Sequence, residues 1–370
     1  MPSGRKAYAM AVSPVTSIYQ PPAEPEAYYH ATVERLVQEG RGPRALEVLA
    51  AGEESARHQG LHEERLSCLV DGAHVLLVCG SRDQAEGMLH GATAVLPHVE
   101  DYELILAAWH NAALLSDDGP RVCALMDGIE RLGSWAAQGT EREMAIFAVV
   151  EKALEFFESG HLASAAVLQY SLSGHEVAGE VFGVPFMPRI DLSSVLRVVG
   201  CVRAALALIV EHEKLAEKQL DESPVLRALT LAEHLKVLRT AGMDDAARDI
   251  EFKLVSVSRE ALAVLEGRLL EMARADAGRA SRAGVANPCA YAGSHLVAVM
   301  RRWEQLAEAL GGYATVAARS LSPGEVLKVI DPLGDRARQR ETLDLVVETA
   351  GQHGLRRCAE RLARVREYAD

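Results

Sequence analysis

The chain has 370 residues, of which 49% are apolar, 25% charged and 5% aromatic, and its formal net charge is -13. That apolar content allows a packed core and excludes wholesale disorder. The negative balance argues against nonspecific attraction to nucleic-acid phosphates or anionic lipid, both of which need clustered Lys and Arg.

Six cysteines, Cys68, Cys79, Cys123, Cys201, Cys289 and Cys358, lie far apart and mostly inside apolar segments. They form neither a disulfide framework nor a CxxC metal site, and buried free thiols in a reducing cytosol are the expectation. The opening residues include Arg5 and Lys6, but AYAMAV is too short for the apolar region of a secretory signal. The most apolar run, Val195 to Val210, contains Arg197 and Arg203 and falls short of a membrane span. These features predict a soluble, cytoplasmic protein without a membrane partner.

In chain order, residues 1–25 are rich in Pro, Ser and Tyr and end in QPPAEP, which predicts an extended or mobile lead-in. Helical periodicity begins at Glu26 with EAYYHATVERLVQEG. It stops at Gly40 and resumes with PRALEVLAAGEESARHQG, where Pro43 suits a first helical turn. His58 and His62 stand four apart, but Gly60 between them marks a turn, so two solvated histidines are expected there instead of a metal pair.

The stretch Leu69 to Leu96 shows the next unit most clearly. Leu69, Ala73, Leu76 and Leu77 form one apolar stripe before Gly80, and Ala85, Met88, Leu89 and Ala92 form another after it. Glycine followed five residues later by alanine then recurs. Gly40 is followed by Gly80 after 40 residues, Gly119 after 39, Gly160 after 41, Gly200 after 40 and Gly242 after 42, and the same pattern is met at Gly312 and Gly354. A glycine closes a helix because it accepts the left-handed C-terminal cap cheaply, and a small alanine further on lets two helices approach closely. Two helices of about 15 residues cannot bury their apolar faces alone and must stack on neighbours.

The spacing L-x3-A/G-x6-G-x4-A-x6-A, carried by Leu69, Ala73, Gly80, Ala85 and Ala92, resembles the tetratricopeptide repeat, as does KALEFFESGHLASAAVLQY around Ala153, Gly160 and Ala165. The period of about 40 is longer than the 34 residues usual for that family. The resemblance implies an all-α fold, a right-handed α-solenoid of stacked antiparallel helix hairpins, whose first helices line a concave groove. On that basis His74, Trp109, Lys236 and Arg239 are candidates for a binding surface. Long-period members resemble the repeat domains of bacterial regulators that bind peptides, ligands or partner proteins.

Two stretches interrupt the array. VFGVPFMPRIDLSS carries Pro185 and Pro188, so a helix is expected to end near Val181 and another to begin after Asp191; this divides the chain into hairpins over 26–183 and over 184–370. Beyond it, residues 195–220 read either as two helices hinged at Gly200 or as one long helix. Residues 273–288, with Gly278 and Ala283, read as a longer inter-helix loop or as a helix running on. Phe147, Phe156, Phe157, Tyr170, Phe182 and Phe186 gather around the first interruption, and Phe157 joins the candidate partner-binding residues as part of a central core or docking patch.

No phosphate-binding glycine loop, HExxH pair or nucleophile elbow occurs in the sequence, and no cofactor is expected. The leading expectation is a scaffold or adaptor that holds a peptide or partner segment in the concave groove, the acidic balance favouring a basic partner. A regulatory protein sensing a peptide or small ligand is the second reading, and an enzyme with a pocket near the central break the third. The C-terminal segment GLRRCAERLARVREYAD, charged on its outer side, reads as a capping helix, and a homo-oligomer through a terminal helix face is compatible with all three.

Overall fold

The computed structural model describes residues 26–116, 120, 122, 124, 149, 152–153, 155–157, 159–173, 180–181, 184–185, 188–217, 223–283, 294–311, 321–331 and 334–368. The lead-in over 1–25, the hinges expected at Gly119 and Gly312, and Phe147, Phe182 and Phe186 lie outside these residues. The described chain is helical apart from one short ladder: β1 (Glu180–Val181) pairs antiparallel with β2 (Val184–Pro185). Contacts gather the chain into two compact units, Met1–His175 with Asp191–Leu208, and Glu176–Ile190 with Ile209–Asp370.

In the first unit, α1 (Glu26–Gln38), α2 (Gly42–Gln59), α3 (His62–Val78), α4 (Arg82–Thr93) and α5 (Tyr102–Leu115) pack each on the next, and α6 (Leu162–Ser173) packs on α5. Helix α3 also touches α1 and α5. Val33 and Leu36 of α1, Ala45 and Leu49 of α2 and Val75 of α3 form one buried cluster; Ala73, Leu76, Ala85 and Leu89 form the next, across α3 and α4. Met88 of α4 occupies the space beside Gly72: a Cβ there would stand 2.5 Å from the Met88 Sδ, and that flexible side chain would have to shift.

Gly278 apart, the recurring glycine has one structure wherever it is described. At Gly80 (φ 79°) the Gly80 N–H donates to the Leu77 carbonyl at 3.0 Å and the Ser81 N–H donates to the Leu76 carbonyl at 2.8 Å, the paired bonds of a Schellman cap. The Ser81 carbonyl then accepts the Ala85 N–H at 3.1 Å, the first bond of the next helix. One residue therefore ends the first helix, and its neighbour begins the second. The same three bonds recur at Gly40, Gly160, Gly200, Gly242 and Gly354, all at positive φ. They place the alanine in the first full turn of the following helix. Ala45, Ala85, Ala165 and Ala205 are completely buried there, and Ala247 nearly so.

A β-branched residue is strained in the left-handed region by roughly 1–2 kcal/mol. Gly80→Val is accordingly expected to lower the unfolding free energy by at least about 1 kcal/mol. Gly87→Ala, inside α4 with open space where its Cβ would stand, is expected to be neutral or to stabilise by up to about 1 kcal/mol. Urea melts of the two variants check the contrast, and equal midpoints would remove the cap assignment.

Helix α5, which follows no such glycine turn, carries a side-chain cap instead, whereas α3, entered at Gly60 (φ 71°) through the same backbone bonds, has none. Asp101 accepts the Glu103 N–H at 2.9 Å and the Leu104 N–H at 3.3 Å at the start of α5. Helices entered through the Gly80 and Gly40 turns have no such bond, because the turn itself fixes their first residues.

The central interruption departs from the sequence reading in two respects. The helix before it, α6, is described as far as Ser173, and Glu180–Val181 pair as a strand in place of the expected helix end. The helix after it, α7 (Pro188–Val198), begins at Pro188, three residues before the expected Asp191 cap. Proline in a first turn has no N–H to lose and a φ suited to a helix, and Asp191 becomes a first-turn carboxylate favoured by the helix dipole. Within the stretch read as one or two helices, the described residues 195–217 belong to two, α7 and α8 (Val202–Glu217), turned at Gly200 (φ 88°).

In the second unit, α9 (Pro224–Thr240) is buried on nearly every side and packs on α10 (Asp244–Ala283) and α11 (Ser294–Leu310). Helix α10 runs for 40 residues straight through Gly278, which is therefore no hinge. Its helix-forming neighbours carry it past a glycine that costs about 1 kcal/mol. Helices α12 (Pro323–Ile330) and α13 (Arg336–Gln352) pack on α10, and α14 (Arg356–Glu367) covers α11 and α13. Cys358, Leu362 and Val365 of α14 face inward, while Arg356, Glu360, Arg364 and Glu367 face solvent.

Candidate functional site

Helix α5 reads YELILAAWHNAALL, and its two polar residues His110 and Asn111 stand in the middle of an apolar run. Asp101 starts this helix and the apolar residues bury it, so the polar pair is carried inside: His110 is 6% exposed and Asn111 not at all. The Asn111 Nδ2 donates to the Val70 carbonyl of α3 at 3.1 Å, while its Oδ1 and the His110 Nε2 have no hydrogen-bond partner within the protein. Burial pushes His110 down to about 4, and the neighbouring His74 of α3 adds to the shift. The structure therefore sets His74 beside His110 between α3 and α5. Trp109 is buried, and so is packing inside the unit.

Phe157, the third candidate of the first unit, is half-buried, and its carbonyl accepts the Gly160 N–H at 3.2 Å. Its neighbour Phe156 is the core residue, with Lys152 Nζ 5.3 Å from the ring centroid and His161 packed on it at 6.0 Å. Tyr170 of α6 reaches across to α5, donating from Oη to Glu103 Oε1 at 3.3 Å.

Lys236 and Arg239 both lie on α9 in the second unit. Lys236 Nζ stands 3.5 Å from Glu308 Oε2 of α11, and Arg239 Nη2 stands 2.8 Å from Glu251 Oε1 of α10. Both cations thus tie α9 to its neighbours. Beside them, His234 Nδ1 lies 2.8 Å from Glu213 Oε2 of α8, with side chains only 10% and 19% exposed. The hydrogen bond from His234 holds the Glu213 carboxyl below the usual range against the opposing effect of burial, with Lys253 assisting. His212, next along α8, is pushed down to about 4 by burial and secondarily by Arg189.

A further polar cluster was not legible from spacing. Glu266 of α10 is buried; its Oε1 accepts Arg361 Nε of α14 at 3.2 Å and its Oε2 accepts the Leu321 N–H at 3.0 Å, while Arg361 also donates to the Leu321 carbonyl. Glu304 of α11 reaches the start of α14, accepting the Arg357 N–H at 3.1 Å and the Cys358 N–H at 2.8 Å. A carboxylate at a helix N-terminus satisfies two orphan donors and meets the positive end of the dipole.

Chemically, these groups fasten helices to one another. Burial pushes the Cys68 thiol up to about 12 and Cys201 up to about 11, so both stay protonated near neutral pH. Among the described residues no group of three or more His, Cys, Asp or Glu is placed to share a metal ion, and no helix is long and apolar enough to cross a membrane. Apart from the β1–β2 ladder, the regular structure of the described residues is helical, with the helices packed in pairs. No known family model matches the chain, and no curated protein matches it.

Proposed function

We propose that the chain is a tetratricopeptide-like helical-repeat scaffold or adaptor, whose helix pairs stack as a right-handed solenoid and hold a segment of a partner protein along the first helices. The observation that supports this reading is the recurrence of one three-bond turn at Gly40, Gly80, Gly160, Gly200, Gly242 and Gly354. A unit that ends one helix and begins the next in this way is the element from which stacked repeats are built. Contacts of α3 with both α1 and α5 fit such stacking within the first unit.

The partner's expected chemistry is basic. Residues 26–116 carry fourteen acidic side chains against six Lys and Arg, and complementary charge speeds encounter and selects partners. Lys/Arg-rich peptides are expected to bind the intact protein in fluorescence anisotropy, with acidic peptides of equal length failing. Binding should weaken as ionic strength rises from about 0.1 M to about 1 M, where the screening length shrinks from about 10 Å to about 3 Å. Indifference to peptide charge would remove the basic-partner reading. A small molecule retained in native mass spectrometry, with no peptide bound, would replace the scaffold with a ligand sensor.

A further inference from the structure

We draw no further inference here: the strongest candidate, the buried polar seam of His110 and Asn111 on α5 with Gln169 on the adjoining α6, carries nothing because nothing in the structure places their unpartnered atoms around one common space that a ligand would fill.

Discussion

Acidification from pH 6.5 to pH 4 is expected to remove about 3 kcal/mol of unfolding free energy through His110 alone. In the unfolded chain this imidazole takes up its proton near 6.5, whereas in the folded protein burial against α3 delays protonation to about 4. Between those values the unfolded state binds more protons, so stability rises with pH across the window and is lost as pH falls. His212 acts in the same direction and over the same window. Glu213, whose carboxyl sits below the usual range, adds a loss at lower pH, when its bond with His234 is protonated away. Against a typical total of about 5–15 kcal/mol, these losses bring the protein close to acid unfolding. Urea titrations at several pH values check the slope, and His110→Leu should flatten it while leaving stability at pH 7.5 little changed. A variant as acid-sensitive as the parent would show that His110 is not the responsible group.

Replacing Arg361 by Met should cost about 3–5 kcal/mol, the usual penalty for stranding one member of a buried ion pair. Glu266 has 1% of its side chain exposed and Arg361 14%, so solvent does not replace the lost guanidinium. The same substitution also removes the donor to the Leu321 carbonyl. The double change Glu266→Leu with Arg361→Leu should recover much of the loss, because a well-packed apolar pair avoids the desolvation of both charges. Denaturant melts of the two singles and the double give the coupling directly. A single Arg361→Met variant that melts with the parent would mean that Glu266 has found another partner or lost its charge.

How much was legible in the sequence follows from how local each interaction is. The Gly80 turn is closed by bonds among Leu76, Leu77, Gly80, Ser81 and Ala85, all within ten residues, so its signature is written in one short stretch. The central interruption was harder, because Pro188 reads equally as a breaker or as the first residue of a helix, and the β1–β2 ladder has too few residues to show an alternating pattern. Gly278 carried the hinge spacing, but its environment within α10 decided its conformation. Among candidate site residues, Lys236 finds Glu308 across 72 positions, and Arg361 finds Glu266 across 95. No spacing rule anticipates such pairings. His110 and Asn111 did leave a local trace, two polar residues in the middle of an apolar helix, but their meaning depended on α3 lying alongside.

The shared bonding of the glycine turn also restricts how such a chain can change its length. Since Ser81 serves the helix behind it and the helix ahead, one residue inserted between Gly80 and Arg82 would rotate α4 by about 100°. Ala85, Leu89 and Ala92 would then swing away from α3, so the insertion would cost an entire apolar face. Insertions and deletions tolerated by this protein should therefore fall where the next helix brings its own cap, as Asp101 does for α5, and away from Leu96 and Val99, which are buried in the connection before it.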